Sequence, residues 1–305
     1  MRTAFISDVH ANPKALERVL DQINSWAEKI VCLGDVVGYG PDPAGAVKLC
    51  CEACDAVVMG NHDAVVCGLH SDASMSPHAR ECAARHREML SKDDLDWLRN
   101  LPYVYEDNGI FAAHGVLSDP ENFGYVGAID EVGRELMALA KRDGRILFVG
   151  HTHAPACFEW DFKSPIRDLM EKDLDLEVKK DCAYLVNVGS VGYPRVKTAS
   201  TYALFDSGRG RIFGSATDID LYEYSEDMKR VGLPVPGWIE PILHRPVHVE
   251  PMYVCGNLHK ILYELFERTP SGESVNVEGL LGPCFFNTPD EAIEWAMAHG
   301  RPVEE

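Results

Sequence analysis

TAFISDVHANPKALERVLDQINS, Thr3 to Ser25, reads as a buried strand that stops abruptly and hands the chain to a helix. Thr3 to Ile6 is a short apolar run, Asn12 stands where an N-cap belongs, and Pro13 sits in the first turn. Leu16, Val19, Leu20 and Ile23 then recur along one helical face. The pattern repeats downstream. Lys29 to Leu33, Ala56 to Met59, Ile110 to Ala113 and Ile146 to Val149 are apolar runs, and Pro43 to Ala53, Pro77 to Leu90 and Ile129 to Lys141 carry helical spacing between them. Such alternation predicts a layered α/β domain with a largely internal sheet.

Farther along, Glu159 to Asp181 is charge-dense and predicts an excursion over the surface, after which Ala183 to Val188, Thr201 to Asp206 and Arg211 to Ser215 resume strand patterns. From about Ile219 the rhythm gives way to Pro-rich sequence (Pro234, Pro236, Pro241, Pro246, Pro251), followed by helix candidates at Leu258 to Phe266 and Pro289 to Ala298. The expected organisation is therefore a domain over residues 1–218 and a C-terminal extension or small subdomain over 219–305.

A chain of 305 residues buries a substantial core without staples. Its ten cysteines are irregularly spaced, which fits reduced thiols in a cytoplasm, and the single CxxC of Cys51 and Cys54 lacks the second pair a zinc finger needs. No apolar run approaches the roughly 18 residues of a membrane span. The expectation is a cytoplasmic protein with no membrane partner. With 48 acidic against 29 basic side chains the formal net charge is −19, and no Lys/Arg-rich track is present. Long nucleic acid, which needs such a track, is not expected as a partner. A small phosphorylated substrate drawn to bound cations is not.

Chemistry-bearing residues fall where the strands stop. Asp8 and His10 follow the first strand, Gly34-Asp35 the second, Gly60-Asn61-His62-Asp63 the third, His114-Gly115 the fourth and Gly150-His151-Thr152-His153 the fifth. Ligands in open α/β sheets bind outside the carboxyl ends of the strands, so five such ends converge on one crevice. By average residue usage the GNHD string alone arises at a given position with a chance on the order of 10⁻⁶ to 10⁻⁵. Two cations roughly 3.5–4 Å apart, held by a set of this kind, clamp a phosphoryl group and lower the pKa of a water between them.

The series DVH, GD, GNHD, HG and GHTH resembles the calcineurin-like metallophosphoesterase superfamily over the first half of the chain. GDVVGYGPDP (Gly34 to Pro43) and NVGSVGYPR (Asn187 to Arg195) resemble its bacterial and archaeal phosphodiesterase-like branch, which includes small-molecule phosphatases and symmetrical dinucleoside tetraphosphate hydrolases, and carry the match to about residue 215. That branch commonly has Pro where this chain has Val188. The resemblance implies a layered α/β sandwich of the metallophosphoesterase type, with Asp8, His10 and His153 on one metal, Asn61, His114 and His151 on the other, and Asp35 bridging. It further implies that His62 lies beside the scissile phosphate as a catalytic residue, with Asp63 placed to orient it. Four imidazoles among the seven ligands favour Mn²⁺, Fe, Co²⁺, Ni²⁺ or Zn²⁺ over Mg²⁺ or Ca²⁺, with Mn²⁺ placed first.

Other positions carry two readings each. Arg195 suits bidentate phosphate binding or a loop cap. Tyr39 and Asn12 sit beside the ligands and could touch substrate, while Asn12 equally suits a helix N-cap. Ser76 to Leu90, with His78, Arg80, Arg85, His86 and Arg87, is a cationic lid or a solvated helix face. Three functions follow: hydrolysis of a small phosphodiester, nucleotide or dinucleoside polyphosphate; a noncatalytic metal-binding scaffold of the same fold; or a nuclease, which the acidic balance disfavours. A homo-oligomer is compatible with the sequence.

Overall fold

A computed structural model describes residues 1–169, 174–195, 199–237, 239, 247–253, 261–268 and 274–276. Backbone contacts divide the chain into two units, Met1–Thr217 and Asp218–Glu305.

In the first unit the strands are β1 (Arg2–Ile6), β2 (Lys29–Cys32), β3 (Ala56–Val57), β4 (Val104–Asp107), β5 (Ile110–Ala113), β6 (Ile146–Val149), β7 (Ala156–Trp160), β8 (Arg167–Asp168), β9 (Asp175–Glu177), β10 (Ala183–Asn187), β11 (Ala199–Asp206) and β12 (Arg211–Asp218). Its helices are α1 (Pro13–Ile23), α2 (Pro43–Ala53), α3 (Asn61–Val66), α4 (Pro77–Met89), α5 (Lys92–Arg99) and α6 (Ile129–Ala140). The strands form not one internal sheet but two sheets of six, ordered β3-β2-β1-β11-β12-β9 and β4-β5-β6-β10-β7-β8. Periodicity is blind to this difference, because the pairings that complete each sheet are distant in sequence: β1 lies antiparallel to β11, with Thr3 opposite Phe205.

Strict side-chain alternation builds the layers. Phe5, Val31 and Leu33 of the first sheet meet Ile110, Ala112, Ile146, Phe148, Tyr184 and Val186 of the second in one core, where the Phe5 and Phe148 rings stack at 3.8 Å. The intervening residues Phe111, Leu147, Val149 and Leu185 point the other way and pack on Val132, Leu136 and Leu139 of α6. Both faces of the central strands are thus covered, which is why they read as continuous apolar runs. The charge-dense segment has a topological job. It leaves β7 through β8, an edge of the second sheet, and returns as β9, an edge of the first.

The second unit opens with α7 (Leu221–Arg230), capped by the Asp220 side chain accepting from the Glu223 N–H. The sequence reading missed this helix because its buried apolar positions, Leu221, Tyr224 and Met228, are few and set among charges. β13 (Val247–Tyr253), β14 (Ile261–Arg268) and β15 (Ser274–Asn276) form an antiparallel sheet. The helix expected over Leu258 to Phe266 is thereby corrected. Ile261 to Phe266 is a short apolar and aromatic run that fits helix and strand alike by spacing, and backbone pairing on both sides makes it a strand. The helix expected at Pro289 to Ala298 lies outside the described residues. Among those described, no helix is long and apolar enough to cross a membrane.

Candidate metal centre

The ends of β1, β2, β3, β5 and β6, three from one sheet and two from the other, meet at one edge of the sandwich. Backbone bonds fasten the first two loops side by side, from Asp8 N–H to Gly34 O at 3.0 Å and from His10 N–H to Asp35 O at 2.9 Å. Asp8, His10, Asp35, His151 and His153 all adopt positive φ, between 48° and 66°. A non-glycine residue there costs roughly 1–3 kcal/mol and persists only where its surroundings over-determine it. Five such residues in one spot mark a backbone bent to aim side chains.

Those side chains are buried and converge. Asp8 and His10 are fully buried, and Asp35, His114, His151 and His153 are at most 6% exposed. His10 Nδ1 faces Val37 O at 3.2 Å, His114 Nδ1 faces Leu33 O at 2.8 Å and His153 Nδ1 faces Tyr193 O at 2.5 Å. A carbonyl only accepts, so each Nδ1 carries a proton and each ring turns its Nε2 inward. There the ligand atoms crowd. His10 and His153 Nε2 stand 3.1 Å apart, His153 Nε2 is 3.1 Å from Asp8 Oδ1, and His114 Nε2 is 3.1 Å from both His151 Nδ1 and Asn61 Oδ1. Asp35 Oδ2 lies 3.6 Å from His10 Nε2 and 3.3 Å from His114 Nε2, between the two groups. Asp8 Oδ1 is buried without a hydrogen-bond donor.

Acceptors packed against acceptors are a fit for cations, and the ligand atoms cluster as such: Asp8, His10 and His153; Asp35, His114 and His151; and a third overlapping set of His10, Asp35 and His62. Burial pushes the two carboxyls up, but the neighbouring imidazoles, His153 and His10 at Asp8 and His114 at Asp35, outweigh it and hold both below the usual carboxylate range. Burial pushes His10 down and His151 down to about 3, keeping both neutral, the ligating form. His114 moves the other way: Asp35 overcomes burial and raises it to about 9.

His62 lies at the rim of the cluster, with its backbone N–H donated to Asp35 Oδ1 at 2.8 Å. Its ring sits 4.9 Å from His10 and 4.6 Å from Tyr39, and its Nδ1 is buried with no partner. Asp63 does not bond this ring, which corrects the expected orienting role. As the third residue of α3 it folds back to the Gly60 N–H at 3.0 Å, and its other oxygen accepts from the Val37 N–H at 3.0 Å. It clamps two ligand loops together instead. Asn12 also turns out to be structural, with Oδ1 accepting from the Ala15 N–H and Nδ2 donating to Gly192 O.

The sequence offers His86 only as part of a cationic lid or a solvated helix face, and it is neither. Fully buried on α4, it accepts the Gly38 N–H on Nδ1 at 3.0 Å and donates Nε2–H to Gly40 O at 2.8 Å. Gly38 must be glycine: its φ is +93°, and a Cβ there would stand 2.2 Å from His62 Nδ1. His86 thus holds the Gly38-Tyr39-Gly40 loop against His62 from behind. The lid reading of its helix fails, since Arg80 pairs with Asp72, Arg85 with Glu88, and Arg87 donates to Val65 O and Val66 O. Ser76 and Ala79 are the residues of that segment that line the cleft, a cavity of about 610 Å³ reaching from Tyr39 and Arg195 across Asn61, His62 and His151 to Phe123 and Tyr125. Arg195 Nη2 donates to Tyr39 Oη at 3.4 Å. The described cysteines are free thiols, and no ligand cluster among the described residues contains one.

Burial pushes His86 down to about 4. Because its folded pKa lies below the unfolded value near 6.5, its contribution to stability is complete above pH 6.5 and is lost as pH falls toward about 4, up to about 3 kcal/mol at 1.36 kcal/mol per unit. His86→Gln offers one acceptor and one donor without titrating. Urea unfolding of metal-free protein between pH 7 and 4 should show a shallower acid loss for the variant than for wild type.

The calcineurin-like phosphoesterase superfamily domain matches residues 1–210. An uncharacterised protein of Methanocaldococcus jannaschii is 31% identical over 240 residues, 76% of this chain and 93% of that one. Escherichia coli phosphodiesterase YfcE is 27% identical over 68% of this chain and 88% of its own length. The symmetrical bis(5'-nucleosyl)-tetraphosphatase of Proteus mirabilis is 26% identical over 52% of this chain and 60% of its own. The crystal structure of a metallophosphoesterase from Sphaerobacter thermophilus superposes with a TM-score of 0.66 at 30% identity, covering 77% of this chain and 95% of that one. With its two-sheet sandwich, its convergent buried ligands and these matches, the chain belongs to the calcineurin-like phosphoesterase superfamily, hydrolases that act on phosphoester bonds.

Proposed function

We infer that the chain hydrolyses a small phosphodiester, nucleotide or dinucleoside polyphosphate at a centre of two divalent ions. Asp8, His10 and His153 would hold one ion, Asn61, His114 and His151 the other, with Asp35 shared between them. The observation that carries this reading is the pair of imidazole nitrogens, His10 and His153 Nε2, facing each other at 3.1 Å while both Nδ1 atoms are committed to carbonyls. Nothing but a cation or an added proton relieves that contact. An imidazole-rich set with two carboxylates would suit Mn²⁺, Fe, Co²⁺, Ni²⁺ or Zn²⁺ over Mg²⁺ or Ca²⁺, and Mn²⁺ is the ion tried first below. Two ions held by these residues would supply Lewis-acid stabilisation of a phosphoryl group and a water acidified for attack.

The chain's own residues do the rest. His62, lining the cleft with its main chain tied to Asp35, presents its ring to the phosphoryl or leaving oxygen. Arg195, at the cleft edge and partnered only loosely with Tyr39 at 3.4 Å, pairs with a second phosphate oxygen. Asp63 and His86 hold the loops that aim these groups. The domain 1–218 would carry the chemistry, and the acidic surface would turn away polymeric nucleic acid.

Metal-stripped protein, reloaded with Mn²⁺, Ni²⁺, Co²⁺ or Mg²⁺, should be assayed on bis-p-nitrophenyl phosphate, p-nitrophenyl phosphate and a dinucleoside tetraphosphate. The reading expects turnover of at least one of the three with a transition metal. Two bound ions and no turnover of any would make the chain a scaffold, and activity confined to polymeric DNA or RNA would make it a nuclease.

A further inference from the structure

Resting on that hydrolytic reading, we propose that Tyr125 is a stacking platform for a nucleobase, so that the site selects nucleoside phosphoesters over base-free ones. The cleft has an aromatic residue at each end, and the two differ in what covers them. At one end, Tyr39 lies parallel to Tyr193 at 4.3 Å and to His78 at 5.7 Å and is 8% exposed. Its ring is taken. At the other end, Tyr125 rests on the His151 imidazole at 4.0 Å and 25°, yet is 59% exposed. Phe123 beside it is 6% exposed. Among the described Phe and Tyr residues lining the cleft, Tyr125 is therefore the one whose ring has an open face.

The platform is also fixed relative to the reacting centre. Phe123 is held at a φ of 49°, and a Cβ on Gly115, the residue after His114, would stand 2.4 Å from Gly124 O. The Phe123-Gly124-Tyr125 segment is thus seated directly on the backbone that carries His114. A planar group lying on Tyr125 is one ring thickness from His151, so its phosphate is close to the ligand cluster. The same cleft offers polar groups, His70, Ser71, Ser74 and Asn122, beside apolar ones such as Val65 and Met75. A base has a π face for tyrosine and hydrogen-bonding edges for such groups, whereas an alkyl or sugar ester has no π face to offer.

Base–aromatic stacking is worth about fivefold to a hundredfold in affinity. The test compares adenosine 5'-monophosphate with ribose 5-phosphate, which differ by the base alone. Calorimetric titration of Mn²⁺-loaded wild type should give a Kd about tenfold tighter for the nucleotide. Tyr125→Phe should keep that ratio and Tyr125→Ala should bring it close to one, with metal content unchanged. Equal affinities in wild type, no measurable binding of either ligand, or a preference that survives Tyr125→Ala would each overturn the proposal. Turnover of bis-p-nitrophenyl phosphate, measured on the same samples, decides the hydrolytic reading separately, because a preference for the nucleotide in binding stands even where no turnover is found.

Discussion

Asp35→Asn should leave a folded protein that holds fewer than two ions per chain and turns over a phosphodiester at least about 10³-fold more slowly. Among the seven candidate ligands, Asp35 is the carboxylate that stands between both imidazole groups, with Oδ2 at 3.6 Å from His10 Nε2 and 3.3 Å from His114 Nε2. Its Oδ1 accepts the His62 N–H. Asparagine keeps that bond with its carbonyl and turns an NH₂ donor, without charge, toward the imidazoles. The lost anion removes the attraction that holds two cations close together. Since a bound ion supplies several kcal/mol of transition-state stabilisation and each 1.36 kcal/mol is tenfold, a loss of roughly 10³ follows. Metal analysis by mass spectrometry beside steady-state kinetics checks both halves. Two tightly held ions in the variant would show that Asp35 does not bridge.

His62→Ala should separate the two readouts, keeping the metal and losing the turnover. Its ring is not needed to complete either the Asp8-His10-His153 group or the Asp35-His114-His151 group, so both ions stay. What disappears is the imidazole facing the cleft, and kcat should fall about 10²- to 10⁴-fold, the range of a positioned proton-transfer group. The overlap of His10, Asp35 and His62 as a third possible cation set gives the competing outcome. Loss of an ion from His62→Ala would make His62 a ligand, and wild-type kcat would remove it from the chemistry altogether.

The pairing of these two variants follows from how the site is written in the sequence. Each candidate ligand comes directly after an apolar run, so its position relative to a strand end is local information, and β1, β2, β5 and β6 fall within a residue of the runs that announce them. Helix starts were legible for the same reason: Asn12, Asp42 and Ser76 each cap a helix whose next residue is Pro. Division into two sheets was not, because β11 returns to β1 only at residue 199, and no spacing records that pairing.

The supporting residues were hidden for a related reason. His86 is one of two histidines on a mostly polar helix, and its value lies in two backbone groups of a loop 46 and 48 residues away. Asp63 was read through its neighbour His62, although its place as third residue of a helix already favours a bond back to Gly60 N–H. Tyr125 stands in a loop without periodicity, and only the position of His151 gives its ring a partner. Residues that ligate carry a signature of type and place, whereas those that aim them depend on contacts made across the fold.

A two-ion hydrolytic centre should fill and switch on together as metal is returned to it. Metal-free protein is given Mn²⁺ in fractions of an equivalent while bis-p-nitrophenyl phosphate turnover is followed. The account predicts that activity rises and saturates at two ions per chain. Saturation of binding at two ions with no turnover at any ratio, or full activity in protein carrying no metal, would contradict it.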